Sequence, residues 1–358
     1  MASTEVAEHY NSVRQGGIGF RTESRIFYQR NLSNWIKSEL INEANTLLRD
    51  AGCRQPRVMD LACGKGGDLK KWKIARARSA VMADVAAVSI DQAKERYEEN
   101  KEREGPHSWF PVQFIVADCC AVDLKAEIKD PEPFDIVSCQ FALHYSFINE
   151  PSARRFLRNA TQSLRPGGFF IGTLPDAERI VWAGRENDGE FGNDVCKVRF
   201  ENKKELDTPP LFGCKFHFTL DSQVNCPEFL AFFPLLTHLL DEMGMDLVLM
   251  KRFPDAIEYW KDKGRGLMGR MQALEPFPAA DGTKLSGADL EYECGTAFLA
   301  GLGDVDEHSK HIGTLSKSEW EAVCMYLVFI FKKRGGEEPK AKEEKAEDPE
   351  SKKVRHEE

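Results

Sequence analysis

The sequence predicts an α/β fold: a mostly parallel sheet with helices on both faces. Three observations carry that expectation. The stretch Arg57-Val-Met-Asp-Leu-Ala-Cys-Gly-Lys-Gly-Gly-Asp68 starts as an apolar run and breaks into glycines at 64, 66 and 67. A strand buried on both faces does this where it turns into a helix. Short apolar runs then alternate with helical periodicity as far as Thr173, and by the layer rules such alternation builds parallel strands joined by helical crossovers. Finally, three of these runs end in or carry an acid, at Asp60, Asp84 and Asp118. Open α/β sheets bind nucleotide-like ligands at that carboxyl edge, where glycine lets the backbone come close and a helix end offers N–H groups.

The elements read in order as follows. From Arg21 the pattern is helical, with Trp35, Ile36, Leu40, Ala44, Leu47 and Leu48 near a 3.6-residue period. Arg30, Asn34 and Lys37 share one face of that helix. Arg14, Arg21, Arg25 and Arg30 meet only Glu23 in the segment 14–30, a cationic arm suited to phosphates. After the glycine turn, Lys65, Lys70, Lys71, Lys73, Arg76 and Arg78 stand against Asp68 alone and read as a landing strip for a polyanion. Ser79–Asp84 is a second strand, and Ser89-Ile-Asp-Gln92 is a capping box that opens the next helix. Gln113–Asp118 and Phe134–Cys139 are the third and fourth strands. Pro151 opens a helix with Ala153, Phe156, Leu157, Ala160 and Leu164 inward, and Phe169–Thr173 is a fifth strand.

Beyond residue 195 the texture changes. Val195–Phe200 and Lys215–Leu220 alternate apolar and polar, an antiparallel excursion over about 195–220. Pro227-Glu-Phe-Leu reads as the opening of a helix that reaches Met243, with Glu228 in its first turn. Met245–Met250 is a sixth strand and Cys324–Phe331 a last one. Residues 261–318, rich in glycine and charge without a period, read as an insertion or flexible lobe.

With 358 residues, 42% hydrophobic and 30% charged, the chain has the composition of a soluble globular protein. We expect an N-terminal arm over 1–15, one domain over 16–334 and a disordered charged tail over 335–358. The formal net charge of −9 argues against wholesale polyelectrolyte binding but leaves room for a local basic groove. Ten cysteines contain no Cys-x-x-Cys pair, which favours a reducing compartment over a disulfide or zinc framework. His308 and His311 have no second ligand pair, so no metal is expected. No signal peptide opens the chain and no apolar run matches a membrane span.

Two chemistries compete for a strand–glycine turn–helix with an acid on the second strand. A dinucleotide site needs Gly-x-Gly-x-x-Gly for a pyrophosphate, whereas the spacing here is Ala62-x-Gly64-x-Gly66 after Asp60. S-adenosyl-L-methionine has no phosphate, and its ammonium group wants carboxylate and carbonyl acceptors, which Asp60 and the turn can offer. Asp84 is placed to accept ribose hydroxyls. Asp118 can accept from an adenine amino group, a demand common to both ligands. The Leu164-Arg-Pro-Gly-Gly168 turn favours the methyl-donor reading.

Several motifs then carry a resemblance covering about Val6 to Lys333. They are Ser24-Arg-Ile-Phe-Tyr-Gln-Arg-Asn31 with Asn34-Trp-Ile-Lys37, Cys63-Gly-Lys-Gly-Gly-Asp-Leu-Lys70, Ser138-Cys-Gln-Phe-Ala-Leu-His-Tyr-Ser146, Pro210-Leu-Phe-Gly-Cys-Lys215 and Pro227-Glu-Phe-Leu230. The chain closely resembles the eukaryotic mRNA cap (guanine-N7) methyltransferases. The resemblance implies a class I Rossmann-like S-adenosylmethionine-dependent fold, with a mostly parallel seven-stranded sheet and an antiparallel last strand. Carried over position by position, it implies that Lys37, Asp60, Ala62, Gly64, Asp84, Asp118, Gln140 and Tyr145 meet S-adenosyl-L-methionine. Ser33, Asn34, Lys65, Lys71, Arg96, His144, Glu228 and Tyr326 would meet the cap. Ala62 stands where the family usually has glycine, and strand geometry there would accommodate its methyl group; Ser33 stands where asparagine is often found.

The implied reaction moves a methyl group to N7 of the guanine of a GpppN cap. N7 has a free lone pair, so no general base is needed and none is assigned. The implied partners are the capped 5′ end of nascent mRNA and proteins of the capping apparatus or the transcription machinery. A nucleus-resident monomer, without membrane contact, is expected. The alternatives are a related methyltransferase acting on another RNA or a small molecule, or a non-catalytic cofactor-binding subunit.

Overall fold

The computed structural model describes residues 24–221, 223–279, 283–303 and 311–335. The expected arm over 1–15, Arg14, Arg21, the histidines at 308 and 311 apart from His311, and the tail beyond Gly335 therefore lie outside the described residues. The chain enters through helix α1 (Phe27–Asp50), whose Trp35, Ile36, Leu40, Ala44 and Leu48 are buried as their period requires. Strand β1 (Arg57–Leu61) is buried throughout, and α2 (Leu69–Ile74) follows the glycine turn. Strand β2 (Ser79–Asp84), α3 (Ala87–Glu104), β3 (Val112–Val116) and β4 (Phe134–Gln140) continue the alternation. Helix α4 (Glu150–Thr161) is capped by the Asn149 side chain, which accepts from the Ser152 N–H. Strand β5 (Leu164–Pro175) continues the parallel set.

Three boundaries differ from expectation. Helix α3 starts at Ala87, not Ser89, and has no side-chain cap. The Asp84 carboxylate instead accepts from the Ala86 N–H at 2.8 Å, so an acid of the preceding strand holds the turn and Ser89 is buried inside the helix. The third strand stops at Val116, and Asp118 lies two residues beyond it, accepting from the Cys120 N–H at 2.8 Å. The fifth strand begins at Leu164, because the backbone of Leu164 already pairs with Phe134 before a bulge.

After α5 (Ala177–Glu186), strands β6 (Glu190–Gly192), β7 (Cys196–Phe200), β8 (Lys215–Leu220) and β9 (Val224–Phe229) form an antiparallel sheet in that order. The motif around Glu228 is thus a strand, and Pro227 belongs to its edge, where a missing N–H costs no ladder bond. The helix begins later, as α6 (Phe233–Glu242), with Pro234 in the N-terminal position first given to Pro227. Strand β10 (Met245–Arg252) leads into α7 (Phe253–Arg270).

The segment 261–318 is not a featureless lobe. Helix α7 runs through its first part, and Gly264 is there for packing: a Cβ would come within 2.6 Å of the Trp35 ring. Trp35 Nε1 donates to the Gly264 carbonyl at 3.0 Å, locking α7 onto α1. Strands β11 (Glu275–Phe277) and β12 (Ile312–Thr314) pair, and α8 (Glu293–Gly301) and α9 (Lys317–Val323) flank them. Arg25 is tied into this region by Glu291 at 2.7 Å and by Ser316 at 3.0 Å. It therefore serves structure here and does not extend a phosphate arm.

Strand β13 (Tyr326–Lys333) inserts antiparallel between β5 and β10, giving the order β10-β13-β5-β4-β1-β2-β3. The result is the expected seven-stranded sheet with one antiparallel strand. Its carboxyl edge gathers the ends of β1, β2, β4 and β5 with the first residue of β13.

Candidate active site

A cleft of about 700 Å³ opens along that edge, roofed by β9 and walled by α1. Every residue implied above except Lys71 lines it, from α1 (Ser33, Asn34, Lys37) to the start of β13 (Tyr326). Lys71 sits behind the wall, bonded to Asp68 at 2.6 Å.

Asp68, which the sequence reading left unassigned, organises this corner. It is 6% exposed and binds both Lys71 and Lys37, the latter at 2.9 Å. Burial alone would raise its carboxyl, but the Lys37 and Lys71 ammonium groups outweigh that and hold it well below the usual carboxylate range. Asp60, beside it, goes the other way. Burial first, then the Asp68 charge, pushes its carboxyl up to about 7, against a hydrogen bond from Trp72 Nε1 at 3.2 Å.

The expected landing strip is largely neutralised. Lys73 pairs with Glu104 and Arg78 with Glu132, while Lys70 and Arg76 are exposed away from the cleft lining. Of that run, only Lys65 reaches the cleft, joined there by Arg96 from α3 and Arg30 from α1.

In the glycine turn, Gly64 N–H donates to Asp84 Oδ2 at 2.8 Å. Burial raises the Asp84 carboxyl, opposed by the N–H groups of Ala86 and Gly64. A Cβ at Gly64, at φ +51°, would meet nothing within 4 Å, so the space beside the turn is open to a ligand. Ala62 does not keep strand geometry: its φ is +53°. That conformation costs an L-residue about 1–2 kcal/mol and explains why glycine belongs there. Burial raises the thiols of Cys63 and Cys119 along the same wall, the latter to about 12, so neither is a nucleophile.

Opposite the turn, a 3₁₀ segment over Leu143–Ile148 delivers His144 and Tyr145. Their rings lie 4.2 Å apart between centroids. Glu228, 4% exposed, reaches in from β9. Its Oε1 accepts from the Tyr145 hydroxyl at 3.2 Å, and its Oε2 lies 3.3 Å from His144 Nε2. That His144 contact lacks hydrogen-bond geometry, and both ring nitrogens are without a hydrogen-bond partner among the described residues. Gln140 Oε1 is likewise buried and unpartnered. Buried polar atoms are normally satisfied, so a cluster of orphans in one cleft marks groups that a ligand completes.

Phe141, also missed from sequence, takes φ +58° where β4 ends. Its N–H donates to the Thr173 carbonyl at 3.0 Å and to Thr173 Oγ1 at 2.9 Å. These bonds hold a backbone conformation that a bulky residue rarely adopts. Its ring packs edge-on to Tyr326 at 5.1 Å, and Phe253 backs Tyr326 at 5.7 Å. The donor set suits S-adenosyl-L-methionine: carboxylates at Asp60 and Asp84, and an open glycine turn. Among the described residues, no group of three or more His, Cys, Asp or Glu side chains converges as a metal site.

Comparison with known proteins identifies the family. Residues 1–334 match the mRNA (guanine-N(7))-methyltransferase domain. An mRNA cap guanine-N(7) methyltransferase of Caenorhabditis elegans is 56% identical over 352 residues, spanning 97% of this chain and 91% of that protein. The protein of that name from Drosophila melanogaster is 40% identical, spanning 92% of this chain and 76% of its own length. The mRNA cap guanine-N(7) methyltransferase 1 of Arabidopsis thaliana is 36% identical, spanning 92% and 81%. The chain belongs to the mRNA (guanine-N7)-methyltransferase family.

Proposed function

We propose that this chain transfers a methyl group from S-adenosyl-L-methionine to N7 of the guanine that caps a GpppN-ended RNA. The observation that carries the reading is the Glu228–Tyr145–His144 cluster, with Glu228 and His144 buried, on the cleft that the Asp60–Gly64 turn also lines. Guanine N1–H and its N2 amino group are two donors side by side, and a carboxylate accepts from both. Glu228 therefore selects guanine, and His144 completes the base edge with a ring nitrogen that has no hydrogen-bond partner among the described residues. Asn34 from α1 holds the guanosine, while Lys65 and Arg96 meet the triphosphate bridge, with Lys71 supporting the wall through Asp68. Tyr326, braced by Phe141 and Phe253, offers a ring face to the purine as positive charge develops on it.

S-adenosyl-L-methionine, when bound, supplies the methyl group from its sulfonium centre. On the donor side, Asp84 takes ribose hydroxyls, Asp118 the adenine amino group and Asp60 the ammonium. Lys37 takes the carboxylate, and Gln140, Tyr145 and the backbone of Ala62 to Gly64 close the remaining contacts. No side chain needs to remove a proton, because the N7 lone pair is free in neutral guanine. Rate then comes from alignment, and holding two reactants in line can supply about 7–11 kcal/mol.

The task named for the family supports a nuclear location and contact with capping or transcription proteins. No described helix is long and apolar enough to cross a membrane. Incubating the purified chain with labelled methyl donor and either GpppN-ended or uncapped RNA tests the reading. Label should enter the capped RNA alone; labelling of uncapped RNA, or of neither, would overturn it.

A further inference from the structure

The motif Pro210-Leu-Phe-Gly-Cys-Lys215 has no part in the site described above, and none of its residues lines the cleft. It leads into β8 and packs behind the cap-facing cluster. The Phe212 ring stacks on the Phe147 ring, with centroids 5.7 Å apart and planes inclined at 24°. The Gly213 N–H donates to the Phe147 carbonyl at 2.9 Å. The next residue, Cys214, accepts through its carbonyl from the Leu230 N–H at 3.0 Å, one step beyond the pairing of Lys215 with Phe229.

Consecutive residues therefore grip the two elements that carry Tyr145 and Glu228, which lie 83 residues apart in the chain. The 3₁₀ segment is held at Phe147, just past Tyr145, and β9 is held at Leu230, just past Glu228. Glycine is required at 213 on two counts. Its φ of +81° is left-handed, and a Cβ would stand 3.2 Å from the Ile148 carbonyl oxygen. Phe147 and Cys214 are fully buried, so the bonds at either end are shielded from water. Within the cluster itself, 3.2 Å is long for a hydroxyl hydrogen bond, and the His144–Glu228 contact lacks hydrogen-bond geometry. The spacing of the cluster is set from behind.

We propose that Phe212, Gly213 and Cys214 are positioning residues, a clasp that fixes Glu228 relative to the His144–Tyr145 pair and thereby sets the preference for guanine. The inference rests on the cap reading, in which Glu228 accepts from guanine N1–H and the N2 amino group together. Such two-point acceptance is sensitive to register, and a misplacement of about 1 Å can cost about a hundredfold in rate.

Steady-state methylation of GpppA and IpppA by the full chain tests it. IpppA carries hypoxanthine, which keeps N7 and N1–H and lacks the N2 amino group. Wild type should prefer GpppA by about tenfold or more in kcat/KM. F212L removes the stacked ring but keeps apolar bulk, and G213A strains the turn. Each should lower kcat/KM for GpppA about tenfold and for IpppA less than about threefold, with S-adenosylhomocysteine affinity also within about threefold. L211A, at a neighbour that is 60% exposed, should change none of these. F212L carries the test if G213A does not fold. A guanine preference left unchanged in the variants, at whatever melting temperature, overturns the clasp. So does a loss shared equally by GpppA, IpppA and S-adenosylhomocysteine, which reports general loosening. Equal wild-type rates on the two dinucleotides would remove Glu228 from the N2 amino group and the clasp with it. A wild-type chain inactive on GpppA overturns the cap reading, a failure visible before any variant is made.

Discussion

Replacing Glu228 by glutamine asks the most of the proposed cap site. Glutamine keeps the volume of a side chain that is 4% exposed, so no cavity opens and the fold has no packing reason to fail. What changes is one oxygen, which becomes an NH₂ group. In the proposed complex, two carboxylate oxygens face two guanine donors, and each such charge-assisted bond contributes about 1.5–3 kcal/mol. The variant loses one bond, weakens the other and points a donor at a donor. A loss of about 3–4 kcal/mol in transition-state stabilisation follows, or a several-hundredfold fall in kcat/KM at about 1.4 kcal/mol per decade. Glu228 touches the donor side through the Tyr145 hydroxyl at 3.2 Å, so S-adenosylhomocysteine affinity should change less than about threefold. Its buried charge is no longer present to be desolvated, so the melting temperature should hold or rise. Steady-state methylation of GpppG, calorimetric titration with S-adenosylhomocysteine and a thermal melt give the three readouts. Equal losses in kcat/KM and cofactor affinity would refute the placement, and so would a fall in kcat/KM smaller than about tenfold.

Other expectations come from the donor side. Ala62→Gly relieves a left-handed conformation at φ +53° that costs about 1–2 kcal/mol, while the added chain entropy of glycine takes back about 0.4–1 kcal/mol. Differential scanning fluorimetry should show a gain of about one degree or more, and a loss would contradict the strain argument. Asp60, with its carboxyl raised to about 7, is protonated in the free protein below that pH. A bound ammonium group favours the carboxylate, so S-adenosylhomocysteine should bind about tenfold more weakly at pH 6 than at pH 8, with Asp60→Asn flattening the profile. In the free protein the same shift works against the ionised form: its contribution to stability is complete below about pH 4 and is lost as pH rises through about 7. A flat wild-type binding profile would remove Asp60 from the ammonium site. Asp84→Ala frees the Gly64 and Ala86 N–H groups and should weaken cofactor binding by two orders of magnitude or more at about 1.5–3 kcal/mol per lost charged hydrogen bond. Isothermal titration measures this, and an unchanged affinity would show that the turn is held otherwise.

The sheet was legible because parallel strands are buried on both faces, so Val58–Leu61, Ala80–Ala83 and Ile136–Cys139 read as largely apolar runs, broken only by Asp60 and Ser138. What failed to show depends on contacts distant in sequence. The Pro227-Glu-Phe pattern imitates a helix start, and only pairing of Glu228 with Phe216 makes it a strand. Asp84 caps the turn before α3 from the neighbouring strand, and no local pattern announces that. Gly264 looks like flexibility in the sequence and proves to be the seat of Trp35. The positions that line the cleft were found through family motifs. Their spacing could not separate Lys71, which faces Asp68, from Lys65, which faces the cleft. Asp68 itself could have been suspected: it lies three residues before Lys71, within one helical turn. The strain at Ala62 and Phe141 had no sequence signal beyond the missing glycine.

The central claim is the atom that receives the methyl group. Mass spectrometry of GpppG-capped RNA, treated with the purified chain and a methyl donor and then digested to nucleosides, reads that atom directly. The account predicts 7-methylguanosine from the cap and no other methylated nucleoside. A methyl group on ribose, on another base position or on an internal nucleotide would contradict it.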